Sequence, residues 1–289
     1  MAADRPTAAE TAALTALALT SFAFNSILTR MALGRAAAGH LDAGNFTAVR
    51  LTTGALVLAL LVRAHSGSWQ ALRGRGWGGP LALFAYAAPF SFAYLRIGAA
   101  TGALVLFGSV QSSMIGWGLL RGERPGARTW LGLLLAAGGL VALNLPKAGR
   151  PDPLGAALMV VAGVAWGAYS LQGKRAPDPL AANARAFLWT VPPALLLASF
   201  TFHPSSAHDV RGLLLAGTSG AVTSGVGYAI WYRALRGLTA IRAAILQLSV
   251  PVIAAVAAVL LLGETVTAWL MVCGATVIGG VALALSGRR

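Results

Sequence analysis

Charge is the first thing this chain has little of. Only 10% of its residues are Asp, Glu, Lys or Arg, where a soluble domain averages about a quarter. The few acidic residues, Asp4, Glu10, Asp42, Glu123, Asp152, Asp178, Asp209 and Glu264, all fall in termini, loops or turns between apolar runs. A cation-efflux pump of the small multidrug type works through a carboxylate buried within a span, and no such residue is visible. The four histidines, His40, His65, His203 and His208, are placed in loops as well. No Ser-His pair or metal-ligand cluster can be built within one span. An intramembrane enzyme is not expected, nor is a metal or other cofactor. One cysteine, Cys273, precludes a disulfide framework and reads as a packing residue. The first eleven residues lack the basic region and cleavage site of a signal peptide, so the first span is expected to be retained.

What the chain has in abundance is apolar sequence: 57% of residues, with 35 glycines. Long apolar runs recur throughout, of the length needed to cross a hydrocarbon core of about 30 Å. In lipid a backbone must satisfy its own hydrogen bonds, which favours helices. The reading is an all-α membrane protein with spans at roughly 12–33, 44–64, 80–97, 101–120, 128–146, 154–173, 182–202, 210–233, 239–262 and 266–286. Its partners are the lipid bilayer and a small-molecule substrate. The net charge of +14 does not imply nucleic acid, because the basic residues sit singly at the ends of apolar runs. They fit the positive-inside bias. The larger set, including Arg63, Arg73, Arg121, Arg175, Arg236 and Arg242, marks a cytoplasmic side that holds both termini. The smaller set, including Arg30, Arg50, Arg96 and Arg211, marks the other side. Arginine outnumbers lysine 20 to 2, which hints at a GC-rich bacterial genome.

The stretch from Ala240 to Ser286 contains Leu248-Ser249-Val250-Pro251, Leu262-Gly263-Glu264 and Gly279-Gly280. Shifted back by 141 positions, Ala240, Ala244, Gly263, Glu264, Gly279 and Gly280 fall on Ala99, Ala103, Gly122, Glu123, Gly138 and Gly139. Ser26, Arg30 and Ala32 match Ser170, Lys174 and Ala176 in type at an offset of 144. A fixed offset near half the chain signals duplication. Five spans per repeat is an odd number, so the second copy enters the membrane inverted. The expected organisation is a segment 1–11, a first five-helix repeat over 12–146 and a second, inverted, over 154–286. Such repeats recur in transporters, with the site near the midplane between them.

Two repeats that each close on a helix, a Gly-Glu turn and a Gly-Gly helix resemble the drug/metabolite transporter superfamily, in particular its EamA-type ten-span carriers. The resemblance is sharpest over Ala240 to Val281. In the first repeat Val110 stands where that family usually has the helix proline, a departure from the pattern. Trp166-Gly167-Ala168-Tyr169 through Lys174 further resembles YddG-type exporters of aromatic amino acids and methionine. The resemblance implies export from the cytoplasm through a central cavity lined mainly by the first, third, fourth, sixth, eighth and ninth spans.

Helical spacing nominates the residues that could line such a cavity. Tyr86, Phe90 and Tyr94 share a face of the third span, Trp166, Tyr169, Ser170 and Gly173 a face of the sixth, and Ser224, Tyr228, Trp231 and Tyr232 a face of the eighth. Phe22 and Asn25 in the first span, Gln111 in the fourth and Gln247 in the ninth complete the set. Aromatic faces bury the apolar part of an amphipathic solute, while amides and hydroxyls fix its polar end. Each nomination has a plainer rival. Trp117, Trp130, Trp189, Trp231 and Trp269, and in part Tyr94 and Tyr232, read as interfacial belt residues. Asn25, Gln111 and Gln247 suit interhelical bridges as well as substrate. Pro89 and Pro251 either hinge a gate or expose carbonyls to the cavity. The Gly-Glu turns read as glycine for the bend and carboxylate for the dipole of the following helix. Arg30 and Lys174 are snorkelling anchors or gate-side partners of a carboxylate.

The function expected is export of small amphipathic metabolites, foremost aromatic amino acids and methionine, by alternating access and downhill, from a monomer in a bacterial inner membrane. A carrier of nucleotide sugars, phosphorylated metabolites or drugs, and a non-transporting helical membrane protein, are the alternatives.

Overall fold

A computed structural model describes residues 6–33, 41–74, 76–147, 149, 152–203, 209–263 and 265–287. Those residues contain no strand. The helices are α1 (Ala8–Leu33), α2 (Ala43–Ser66), α3 (Gly78–Arg96), α4 (Ala99–Leu120), α5 (Ala127–Asn144), α6 (Pro153–Lys174) and α7 (Pro179–Thr201). The eighth span is α8 (Val210–Thr218), a π-helical segment over Ser219–Val226 and α9 (Gly227–Ala234). The ninth is α10 (Ala240–Gln247) and α11 (Val250–Leu262), and the tenth is α12 (Ala268–Ser286). Nine of the ten spans are long and apolar enough to cross a membrane among the described residues. The remaining one, α3, has 19 residues, and its tyrosines and prolines reduce its hydropathy. Every span lies within a few residues of its expected position.

The scarce carboxylates are spent at helix starts. Asp42, Asp152, Asp178 and Asp209 accept backbone N–H bonds from Asn45, Gly155, Ala181 and Gly212, capping α2, α6, α7 and α8. Such caps satisfy donors that lipid cannot. Glu10 lies in the first turn of α1, which begins earlier than expected, and accepts from Thr7 N–H. Glu123 corrects an expectation. It does not serve the helix after it; its two oxygens accept from Ala240 N–H at 2.7 Å and Ile241 N–H at 3.0 Å. The donors of a helix start in the other half of the chain are thereby paired. Glu264 lies outside the described residues, as do His40 and His208. His65 belongs to the last turn of α2 rather than to a loop.

The duplicated glycines take matching conformations. Gly122 and Gly263 both adopt left-handed φ, 82° and 66°, where a side chain would be strained. In each Gly-Gly pair it is the second residue that meets a partner helix. A Cβ on Gly280 would come within 2.5 Å of Ala136 N, and one on Gly139 within 3.0 Å of Val277, whereas Gly138 and Gly279 face open space. Helices α5 and α12 thus pack backbone to backbone, as small residues allow in membranes.

The packing pairs also respect an exchange of halves. Contacts between α2 and α7, and between α5 and α12, map onto themselves. The α3–α6 contact maps onto that of α1 with the eighth span, and α4–α6 onto α1–α11; all four are made. Pro89 lies inside a continuous α3. Pro251 occupies the first turn of α11, just after the helix breaks at Leu248 and Ser249. Helix α7 carries an interior proline pair, Pro192 and Pro193.

Candidate functional site

A cavity opens between α1, α3, α4, α6, α9 and the α10–α11 junction. Six rings border it: Phe22, Tyr86, Phe90, Phe107, Trp166 and Tyr228. Asn25, Ser26 and Gln247 supply polar edges, and Leu106, Val110 and Val250 complete the wall. Its free space is about 30 Å³ for the centre of a water molecule, room for a water or two and too little for an aromatic solute. The rings close on one another. Phe22 stands edge-on to Trp166 at 5.1 Å and to Tyr228 at 5.7 Å, and Trp166 meets Tyr86 at 4.9 Å.

The local sequence explains how each group arrives. Phe22 and Asn25 are nearly one turn apart on α1, and Tyr86 and Phe90 are i, i+4 on α3, so each pair shares a face. The ring set on the eighth span is turned inward by the π-helical segment, whose extra residue per turn rotates the face of α9. That segment lies against α2 at glycine: a Cβ on Gly220 would fall 2.1 Å from the carbonyl oxygen of Arg50.

Seven of the eleven candidate residues border the cavity: Phe22, Asn25, Tyr86, Phe90, Trp166, Tyr228 and Gln247. Gln247 is bonded at both ends. Its Oε1 accepts the indole N–H of Trp166 at 2.6 Å, while its Nε2 donates to Ala243 O at 3.2 Å and approaches Met114 Sδ at 3.3 Å. Asn25 Oδ1 accepts from Ser219 at 2.7 Å, Thr223 at 3.3 Å and Ser224 at 3.5 Å, so its NH₂ is what it can offer the cavity. The other four sit behind the wall. Gln111 donates to Ala244 O at 2.9 Å, tying α4 to α10, and its Oε1 is buried without a partner. Tyr169 donates to Asn183 Oδ1, Ser170 accepts from the indole of Trp231 at 3.1 Å, and Ser224 accepts from Arg50.

Two belt assignments are corrected. Trp231 is 0% exposed, with its N–H paired to Ser170 as a buried indole requires. Tyr232 is buried too, donating to Tyr169 O at 3.0 Å. Both lie on the inward face of α9. Trp130, Trp189 and Trp269 are exposed on the outside of the bundle, as belt residues would be. Trp117 is stacked by Arg121 and Arg175, at 4.7 and 4.9 Å.

Sequence reasoning counted Arg50, with Arg30, Arg96 and Lys174, among the cations near enough to face a cavity, but did not nominate it as a site residue. Grouped with the basic residues of the exterior side, it lies within α2 and is 1% exposed. Its Nε donates to Ser224 Oγ at 2.8 Å, and its Nη2 to Tyr228 Oη at 2.5 Å and more distantly to Tyr86 Oη at 3.4 Å. Its guanidinium lies over the rings of Tyr86 and Phe90, 5.5 and 5.8 Å from their centroids. Nη1 has no partner. Burying an arginine at a span centre costs about 2.5–3.5 kcal/mol on insertion scales, and such residues are functional by default. The signal was in the sequence, since position 50 falls within the apolar run.

Contacts between helices tie together each end of the bundle, and one end carries a carboxylate cap from the first half. There Glu123 caps α10, Arg236 donates to Ala176 O and Pro177 O at 3.0 and 2.6 Å, and the ring of Tyr232 packs over Gly173. At the opposite end Arg96 pairs with Asp152 at 3.3 Å, Asp209 accepts Leu41 N–H and Asp42 accepts from Thr201.

With this geometry in view, three similarities carry weight. The profile of the EamA-like transporter family matches residues 153–286. An uncharacterized protein of Pseudomonas aeruginosa is 50% identical over 236 residues, 82% of either chain. A solved crystal structure superposes with a TM-score of 0.79 over 96% of this chain and 99% of its own, at 21% identity; that likeness shows the fold.

Proposed function

Since the chain belongs to the EamA-like transporter family, a family of membrane transporters, we propose that it exports small amphipathic metabolites across a bacterial inner membrane, foremost aromatic amino acids and methionine. The observation that carries this reading is the convergence of six aromatic rings with Asn25 and Gln247 on one cavity between the two halves. Rings arranged edge to face accept another ring, or a thioether, at little loss of contact. The amides address the polar end of the solute. The cavity is nearly closed, so loading requires the halves to part. Alternating access supplies that motion, by rocking of the inverted repeats 12–146 and 154–286 about the site. Both termini then face the cytoplasm, and the end that carries the Glu123 cap is the cytoplasmic one. A monomer suffices, because one chain encloses the cavity.

Transport is downhill in this reading. The carboxylates of Glu10, Asp42, Glu123, Asp152, Asp178 and Asp209 all lie at helix ends, engaged as caps, and none is placed to carry a proton through the cavity. Nucleotide sugars and phosphorylated metabolites fit less well. Their doubly charged phosphates call for several cations, and among the described residues the arginine bonded to the rings of the cavity wall is Arg50.

The test is flux of labelled phenylalanine, tryptophan, methionine and a sugar phosphate into proteoliposomes. Saturable amino-acid flux that falls at least tenfold in Trp166→Ala and Tyr228→Ala supports the reading. Sugar-phosphate flux without amino-acid flux overturns the substrate class, and no flux of any solute overturns transport of this kind altogether.

A further inference from the structure

Arg50 is held by neutral groups alone. Among the described residues no carboxylate reaches it, and its partners are the hydroxyls of Ser224, Tyr228 and Tyr86. A guanidinium cannot shed its proton in a protein, so the positive charge is permanent and, in this state, unneutralised. A buried charge in that condition is poised for an anion. We propose that Arg50 is the dock for the carboxylate of the transported solute, so that the carrier takes small apolar monocarboxylates and zwitterions and discriminates against amines and amides of the same shape. The proposal rests on the transport reading above and specifies its substrate class.

The geometry shows which edge of the guanidinium would be used. Nε is committed to Ser224, which belongs to the π-helical segment pressed against α2 at Gly220. That bond and the tight backbone contact fix the position of the head group. Nη1 has both N–H groups free of protein partners, and Nη2 is shared between Tyr228 and a long contact to Tyr86. The Nη1–Nη2 edge is the end-on face on which arginine binds a carboxylate with two parallel bonds.

A single layer of rings separates this guanidinium from the cavity. Tyr86, Phe90 and Tyr228 border the cavity on one side and surround Arg50 on the other. In this arrangement the Tyr228 hydroxyl takes the place of one carboxylate oxygen. When the halves part and the ring swings, that hydroxyl exchanges its role from accepting Nη2–H to donating toward the carboxylate. The Nη2–H bond passes from Tyr228 to the carboxylate, the hydroxyl of Tyr228 gives up its long donation to Tyr86 Oη (3.4 Å), and Nη1 gains a partner. An interhelical clamp between α2 and the eighth span would need only Nε and Nη2; it leaves the buried Nη1 unexplained. One cation matches one negative charge, which selects carboxylates over phosphate dianions.

The experiment is binding of labelled phenylalanine to the full-length protein in nanodiscs, with three competitors. Phenylacetate keeps the carboxylate and lacks the amine; phenylalaninamide and phenethylamine lack the carboxylate. On the wild type, phenylacetate is expected to compete, with the amide and amine weaker by about tenfold to a hundredfold, the worth of a hydrogen bond to a charged group. In Arg50→Gln the gap between acid and amide collapses, and in Arg50→Lys part of it survives because charge remains while the bidentate fork is lost. Equal competition by phenylalaninamide and phenylacetate on the wild type overturns the dock, as does a folded Arg50→Gln protein that keeps the full gap. The wild-type series decides the matter even where Arg50→Gln fails to fold. Phenylalanine flux without acid–amide discrimination removes this inference and leaves the transport reading standing; no binding of any aromatic compound removes both.

Discussion

The indole of Trp166 and the carboxamide of Gln247 meet at 2.6 Å, N–H to Oε1, and bind α6 to α10 along the cavity wall. Each is buried and each borders the cavity. The bond holds one aromatic wall in place, and the Gln247 amide is anchored behind it on Ala243 and Met114.

Breaking that bond from either side leaves a buried polar group unpaired, at a cost of about 1–3 kcal/mol. Trp166→Phe and Gln247→Leu should each lower the midpoint of thermal unfolding in detergent. The double variant should be less destabilised than the sum, with a coupling of about 1 kcal/mol. Strict additivity would show that the two side chains do not act as a pair.

Glu123 makes a different kind of link, since it pairs the first two donors of α10 from the turn after α4. Removing a cap costs about 0.5–2 kcal/mol, a shift of roughly twofold to thirtyfold in a two-state balance. Glu123→Ala is expected to open this end of the bundle. With Cys273 replaced by alanine and a cysteine placed at Ile241, which is buried, thiol labelling should speed up by that factor. Labelling at the wild-type rate would mean that the cap does not hold the end closed.

The two Gly-Gly pairs allow a sharp comparison. Gly280→Ala puts a methyl within 2.5 Å of the α5 backbone, while Gly279→Ala meets nothing within 4 Å. The first should destabilise the protein by about 1–3 kcal/mol through overpacking. The second should be neutral, or stabilising by up to about 1 kcal/mol from helix propensity. Thermal unfolding of the two variants side by side checks this, and equal behaviour would contradict the packing of α5 on α12.

Solute flux is expected to ignore a proton gradient, because the carboxylates described at helix ends cap backbone N–H groups and the buried cation cannot titrate. The measurement is counterflow in proteoliposomes with the internal and external pH equal, then one unit apart in either direction. Accumulation of solute driven by the pH difference would contradict it.

Much of the architecture was determined by the sequence alone. Run length set the spans, because a helix must match the hydrocarbon thickness whatever its neighbours. The 141-residue offset pairs Gly122 with Gly263, and both take a left-handed turn because the backbone there tolerates little else. Faces were harder. Lipid and protein interior are both apolar, so a membrane helix carries little pattern to say which side is covered. That is why Trp231 read as belt and proved to be core, and why Tyr169 and Gln111 stand behind the cavity wall that Trp166 and Gln247 border. Only the tertiary structure could give Glu123 its partner, 117 residues away. It alone could turn Arg50 from a membrane-edge anchor into a buried cation, since the groups around that guanidinium come from α3 and the eighth span, brought together by packing.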